Sequence, residues 1–387
     1  VTARGRARTP MRTTLVTATA VALCAVLTGP SLGAHSGGHV ATRAAMRAAV
    51  ADGVPGVTAT ARDTHGTWQA TAGVGDLRTD RPRSTADRYR VGSITKTFVA
   101  TVLLQLEAEG RLALDDTVDE WLPGAVRGNG HDGRAVSVRR LLNHTSGISD
   151  YTYDEDFVRT YLLKDGFLEH RYDTVTPSEL VAVAMTHRPD FEPGTGWKYS
   201  NTNYVLAGMV IEAVTGRPYG DEIRDRVIEP LHLRATSVPG TRAALPRPSS
   251  RAYSKLARTP TGPTYDVTTL NPSLASAAGE MISDSADLNR FYRALLGGRL
   301  LPPRQLEAMK TTVETREFAG AGYGLGLIAR ELSCGVRVWG HGGGIHGSSS
   351  EAVTTADGRH SLAFNFNGDW SGDSEAVVEA EFCGDPR

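Results

Sequence analysis

The chain predicts an α+β fold: an antiparallel sheet flanked by helices, with a mostly helical lobe inserted into it. Short β-type runs gather toward both ends of the sequence, helical periodicity dominates its middle, and the 387 residues hold no internal repeat or low-complexity block. Strands that bracket a helical stretch are most simply joined in one sheet. On this reading the α/β lobe takes roughly residues 35–112 and 297–387, and the helical lobe roughly 113–296. A cleft between two such lobes is a common place for a ligand.

The length suffices for one large domain, or two intimate ones, with a full hydrophobic core. A hydrophobic content of 40% and a charged content of 22% are ordinary for a soluble globular protein. The formal net charge is −1 and no basic block occurs, which argues against nucleic acid as a partner. Only five of the 42 basic residues are lysines. Arginine keeps its proton in a protein, whereas lysine can lose it. A lysine close to a serine therefore marks a place where a removable proton matters.

Residues 1–34 read as an export signal cleaved near Ala34. Arg4, Arg6, Arg8 and Arg12 precede an apolar run from Leu15 to Leu27, then Gly29-Pro30 and a small-residue exit at Gly33-Ala34. Met11-Arg12 supplies a short positive n-region on its own. The run is shorter than the about 20 residues of a membrane span, and an uncleaved anchor is the alternative. Removing the segment takes away four arginines and no acids, leaving 38 Lys+Arg against 43 Asp+Glu. Cys24 would go with it. Cys334 and Cys383 then remain as an even pair in an oxidising compartment. Bridged, they would close a loop worth about 4 kcal/mol in the chain-entropy model; two separate buried thiols are the other reading.

The elements follow in order. His39 to Val50 has helical character and ends in the turn Asp52-Gly53-Val54-Pro55-Gly56. Val57 to Arg62 and Trp68 to Val74 are β-rich runs around His65-Gly66, a hairpin. From Ser93 to Glu109, Phe98, Val99, Val102, Leu103 and Leu106 recur at helical spacing, and Gly110 closes the helix. Val136 to Asn143, Pro177 to His187, Tyr204 to Val214 and Asp284 to Leu296 are further helices. Residues 239–273, rich in Pro, Thr and Ser, read as an extended surface excursion. Tyr323 to Ala329, Val336 to Trp339, Ser348 to Thr354 and Ser361 to Asn367 are short strands, and Asp373 to Phe382 is a terminal helix.

The chemistry centres on Ser93-Ile94-Thr95-Lys96. Positions i and i+3 share a helix face, so the hydroxyl and the amine can meet. Serine is a poor nucleophile until a base takes its proton, and lysine serves only if burial or nearby charge lowers its pKa. The helix start favours developing negative charge. In Tyr199-Ser200-Asn201, the phenol can shuttle protons and the amide can bond both a lysine and a substrate amide. In His341-Gly342-Gly343-Gly344, the glycines let a substrate lie close against an edge strand, and His341 presents a polar or positive group.

Ser-x-x-Lys, Tyr-x-Asn and His-x-Gly in this order resemble the penicillin-recognising serine hydrolases, in particular the class C β-lactamase and streptomycete D-alanyl-D-alanine carboxypeptidase branch. Asn143-His144-Thr145-Ser146-Gly147, Glu192-Pro193-Gly194, Tyr323-Gly324-Leu325-Gly326-Leu327 and Leu332-Ser333-Cys334-Gly335 add to the resemblance. It implies a β-lactamase/transpeptidase-like fold over residues 35–387 and a secreted serine hydrolase. Ser93 would form the acyl-enzyme, Lys96 and Tyr199 would share the acid and base work, and Asn201 would hold the substrate. His341 would take the place of a lysine, and the backbone N–H groups of Ser93 and Gly344 would form the oxyanion hole. The expected activity is that of a D-alanyl-D-alanine carboxypeptidase; a related esterase or D-amino-acid amidase, or a penicillin-binding protein without turnover, are the alternatives. A monomer acting on a peptidoglycan stem peptide or other small acyl substrate follows, with β-lactams as inhibitors and no cofactor or metal.

Two other readings of the glycine-rich stretch fail. In α/β-hydrolases an HGGG loop precedes a G-x-S-x-G elbow, which this chain lacks. His341 and His346 have no acidic or cysteine ligand at metal-binding spacing. The match departs at the substrate's carboxylate: where the streptomycete enzymes carry threonines and an arginine, this chain has Gly342, Gly344 and Ile328. Arg330, two residues along the same strand face, is expected to supply the lost charge, and Gly343 to line the substrate site.

Overall fold

A computed structural model describes residues 39–315 and 320–384. The export segment and its cleavage point lie outside the described residues. Among the described residues nine strands form the main sheet: β1 (Gly56–Arg62), β2 (Thr67–Asp76), β3 (Arg81–Pro82), β4 (Val313–Glu314), β5 (Ala321–Tyr323), β6 (Ile328–Glu331), β7 (Arg337–Ile345), β8 (Ser348–Thr355) and β9 (Ser361–Phe366). Their spatial order is β4-β5-β6-β7-β8-β9-β1-β2-β3. Every pairing is antiparallel, and β1 lies against β9 with Val57 opposite Phe366 and Arg62 opposite Ser361. The two ends of the sequence do share one sheet, as expected. At the β1–β2 turn, Asp63 Oδ1 accepts from the N–H groups of His65 (2.7 Å) and Gly66 (3.1 Å), fixing the hairpin.

The two-residue period of the strands divides the core. Leu362, Phe364 and Phe366 join Val57, Ala59, Met46, Val377 and Val378 under the helices α1 (Val40–Ala51) and α5 (Ser374–Cys383), which cover one face. Ala352 and Ala363 point the other way, into a larger core with α2 (Thr95–Ala108), α3 (Asn201–Thr215) and α4 (Ser285–Leu296). α2 is buried nearly all round, as befits the central helix of a large core. Phe98 stacks on Phe291 of α4 with ring centroids 3.7 Å apart. Cys334 and Cys383 are bonded, tying the end of α5 to the β6–β7 turn.

Three expectations need correction. The helical lobe was drawn to residue 296, but α4 packs on the sheet, where Asn289 Nδ2 donates to the Thr60 carbonyl of β1 at 2.6 Å. Residues 239–273 are not a surface excursion. Val267 and Leu270 are fully buried, the Arg90 guanidinium donates to the Leu270 carbonyl at 2.9 Å, and residues 254–260 line the cleft beside Ser93. Tyr323 to Ala329 is not one strand. Gly326 adopts φ +71° in a turn between β5 and β6, where a Cβ would come within 2.7 Å of Ala100 Cβ, and its carbonyl accepts from Thr97 Oγ1 of α2 at 2.7 Å. Packing on the central helix overrides the strand pattern there.

Candidate active site

Ser93 sits in a 3₁₀ turn, Gly92–Ile94, that runs directly into α2. The turn is clamped from both sides. Val91 N–H donates to the Met281 carbonyl at 2.9 Å, and Met281 N–H donates to Thr95 Oγ1 at 3.1 Å. Gly92 has φ +53°, and a Cβ there would stand 2.7 Å from Gly344 N. A Cβ on Gly343 would stand 1.9 Å from the Val91 carbonyl oxygen and 2.9 Å from Ser93 N. Only glycines let the turn and β7 approach so closely. The backbone of Ser93 and that of Gly344 are thereby brought side by side.

Lys96 is fully buried, and its Nζ faces three oxygens: Ser93 Oγ at 2.9 Å, Asn201 Oδ1 at 2.8 Å and the Ala278 carbonyl at 2.8 Å. Burial pushes its pKa down to about 7, against the opposing pull of the Asp150 carboxylate. Asn201 opens α3, and Asp150 Oδ2 accepts from both its backbone N–H (3.0 Å) and its Nδ2 (2.9 Å). With the amide nitrogen committed to Asp150, Oδ1 is the atom left for Lys96.

Tyr199 packs on His144 with ring centroids 4.3 Å apart and planes inclined at 33°, and Lys96 Nζ is 4.7 Å from the Tyr199 ring centroid. Burial raises the phenol's pKa well above its ordinary value, with the Ser93 side chain working the other way. The two hydroxyls nevertheless do not form a bond of hydrogen-bonding geometry, and Tyr199 OH has no partner among the described residues. His144, at φ +60°, holds the Tyr199-Ser200-Asn201 segment: its Nδ1 accepts from Ser200 N–H at 3.2 Å and lies 3.1 Å from Asn203 Nδ2.

His341 lies in the same cleft, but not as a cation. Its Nδ1 is 2.5 Å from the Gly342 carbonyl, an obligate acceptor, so the ring proton sits on Nδ1. Nε2 then accepts from the Tyr323 hydroxyl at 2.9 Å. Burial, with Lys96 nearby, lowers the imidazole's pKa to about 3. The neutral, hydrogen-bonded His341 replaces the positive group allowed for at this position.

Arg330 requires correction as a substrate contact. Arg330 borders the cleft, but its Nη2 binds Glu351 Oε1 at 2.7 Å and its Nη1 binds Glu375 Oε2 at 2.6 Å. Its charge is held between two carboxylates and is not free to meet a third. Gly343 lines this same cleft and also turns its Cα toward the Ser93 turn, which its lack of a side chain admits.

Two cavities meet at Ser93 and Gly344. One, of about 610 Å³, is lined by Asn201, Tyr151, Leu274, Ala278 and Ile345; the other, of about 560 Å³, by Tyr199, His341, Ile328, Gly342 and Glu351. Among the described residues no group of three or more His, Cys, Asp or Glu side chains is placed to hold a metal ion. Asp150, Glu351 and the Ala278 carbonyl were not singled out from the sequence. Asp150 lies just beyond the stretch Asn143–Gly147 that added to the resemblance; Glu351 and Ala278 carry no local signal.

A model of the beta-lactamase family matches residues 42–379. Penicillin-binding protein 4* of Bacillus subtilis (strain 168) is 28% identical over 315 residues, covering 76% of this chain and 64% of that protein. Penicillin-binding protein 4 of Amycolatopsis lactamdurans is 30% identical over 275 residues, covering 68% and 67%. The chain thus spans about two thirds of the length of these curated relatives. Among solved structures, a D-stereospecific amidohydrolase from Streptomyces sp. superposes with a TM-score of 0.86 at 66% identity, covering 89% of this chain and 99% of the other. The D-amino acid amidase from Ochrobactrum anthropi SV3 complexed with D-phenylalanine gives 0.75 at 29%, covering 88% and 97%.

Proposed function

This chain belongs to the beta-lactamase family, and we propose that it acts as a serine hydrolase that cleaves amides of D-amino acids through an acyl-enzyme on Ser93. The observation that carries this reading is the three-oxygen shell of Lys96. Asn201 Oδ1 and the Ala278 carbonyl can only accept. A neutral Lys96 therefore spends both its N–H groups on them and turns its lone pair to Ser93, as a base must.

In the first half-reaction Ser93 Oγ loses its proton to Lys96 and bonds the substrate carbonyl carbon. The oxyanion is received by the N–H groups of Ser93 and Gly344. As the C–N bond breaks, the leaving nitrogen takes a proton from Tyr199, which burial keeps protonated, and departs as ammonia or an amine. Tyr199 recovers its proton from Lys96. Water then attacks the ester under the same base and releases the carboxylic acid and Ser93. Lys96 is the base and Tyr199 the acid that feeds the leaving group.

An amide or ester fits better than a peptide with a free C-terminus. Among the described residues lining the Tyr199 side of the cleft, Arg330 is the one fixed cation, and it is doubly paired. The preference for D-amino acids is taken from what the two solved relatives are named for. β-Lactams, which leave their amine tethered after acylating a serine, are the inhibitors this machinery would accept. The export reading rests on the arginine-led apolar stretch before residue 34 and on a disulfide of the kind that oxidising compartments preserve.

The test is kcat/KM of the purified protein for D-phenylalanine amide, L-phenylalanine amide and a peptide ending in D-Ala-D-Ala, beside Ser93→Ala. The D-amide should be the best substrate and Ser93→Ala inactive on it. A preference for the D-Ala-D-Ala peptide would return the chain to the carboxypeptidases, and an active Ser93→Ala would remove the mechanism.

A further inference from the structure

The Tyr199 side of the cleft carries a feature that the amidase reading does not need but that decides what can leave. The departing nitrogen must lie near the acid that protonates it, so the leaving group occupies the cavity shared by Ser93, Tyr199, Gly342 and Glu351. Glu351 on β8 stands directly opposite Gly342 on β7. It is more than nine-tenths buried. One carboxylate oxygen, Oε1, accepts from Arg330 Nη2 at 2.7 Å. The other, Oε2, has no hydrogen-bond partner among the described residues, and a Cβ built on Gly342 would fall 2.7 Å from it. Oε2 therefore fills the volume that a side chain at 342 would need. The glycine at this position and the carboxylate opposite it are one substitution in physical terms: where a hydroxyl could have met an anion, an anion stands.

The charges around it agree. Arg330 is bracketed by Glu351 and Glu375, so one guanidinium faces two carboxylates and the group keeps an excess of negative charge. His341, neutral and bonded on both ring nitrogens, does not offset it. Burial raises the Glu351 carboxyl and Glu375 adds to the effect, while Arg330 pulls it back toward ionisation.

We infer that Glu351 is the specificity-determining residue of the leaving-group side, repelling leaving groups that carry a carboxylate and admitting those that leave as ammonia, an alcohol or a cationic amine. The inference rests on the amidase reading and narrows it: substrates are amides and esters blocked at the carboxyl end, and a cationic substituent on the leaving amine is favoured over a neutral one. Glu351 acts on the bound leaving group by charge and takes no part in bond breaking.

The test compares three substrates with one acyl group: D-phenylalanine amide, D-phenylalanine 2-aminoethylamide and D-phenylalanyl-D-alanine. Two ratios of kcat/KM are read, dipeptide over amide and aminoethylamide over amide. In Glu351→Gln the first ratio should rise about tenfold and the second fall, because a near charge is worth about that much in a partly desolvated site. Arg330→Gln should move both ratios the opposite way. Glu375→Gln, on a half-exposed side chain, should shift them in the sense of Glu351→Gln to a smaller extent, and it serves if Glu351→Gln does not fold. Ratios that stay fixed, or that move the same way in the glutamate and arginine variants, would overturn the inference. A wild-type protein that hydrolyses none of the amides would instead sink the proposed function, so the two failures are told apart.

Discussion

Asp150 and Asn201 are joined twice, by the backbone N–H of Asn201 at 3.0 Å and by its side-chain nitrogen at 2.9 Å, both to Asp150 Oδ2. The two hydrogen bonds accepted by that one oxygen fix which way the Asn201 amide faces. It also sets a buried negative charge near Lys96, where it raises the lysine's pKa against the effect of burial.

Removing the charge should therefore lower the Lys96 pKa further. In Asp150→Asn the acidic limb of the kcat/KM profile is expected to move to lower pH, with kcat reduced because the Asn201 amide loses its fixed orientation. A profile that kept its wild-type midpoint would show that Asp150 serves only the fold.

The wild-type profile itself follows from Lys96. Its pKa lies near 7, and the base must be neutral, so kcat/KM should rise with pH through about that value. Lys96→Arg keeps the positive charge but cannot release a proton. Activity should fall about 10²–10⁴-fold, the usual contribution of a positioned acid–base group. An arginine variant with the same acidic limb would exclude Lys96 as the titrating base.

Tyr199→Phe separates the two halves of the acid–base work. An amine leaves poorly without a proton, whereas a good alkoxide or phenoxide leaves more readily. The loss should be about 10²–10⁴-fold on D-phenylalanine amide and clearly smaller on an aryl ester with the same acyl group. Equal losses on both would mean that Tyr199 does not feed the leaving group.

Gly92→Ala tests the seam between the Ser93 turn and β7. Gly92 has a positive φ, and a methyl group there would press on Gly344 N at 2.7 Å. Gly344 must shift away from the Ser93 backbone, at a cost of about 10²–10³ in kcat, as for a lost oxyanion donor. A matching increase in KM alone would contradict that role.

Ser93, Lys96, Tyr199 and Asn201 were legible in the sequence because their meaning is local. A spacing of three residues places Ser93 and Lys96 on one helical face, and a two-residue spacing at a helix start places Tyr199 and Asn201 together. The sheet was legible for a similar reason, since apolar alternation at both ends of the chain leaves few other partners. Asp150 was not, because its partners Asn201, 51 residues later, and Lys96 are far from it in sequence. Glu351 was not, because its effect depends on facing Gly342 across two strands, and strand register is invisible in a single run of residues. Arg330 was misread for the same cause: its strand face was right, but the glutamates that hold it come from β8 and α5. His341 was read as a polar or positive group, and burial settles that pair of options in favour of the neutral one.

The pairing of β1 with β9 has a consequence for when the cleft is complete. The Ser93 turn leads out of the first strands, while the glycines that receive it at Gly343 and Gly344 belong to β7, which joins β1 only through β8 and β9. Contacts between segments so distant in sequence carry a loop-closure cost before they stabilise anything. A chain still emerging, or one cut short before β9, holds the nucleophile and its lysine but has no finished cleft to place an acyl group in. The cleft around Ser93 is complete only when the last strand closes the sheet.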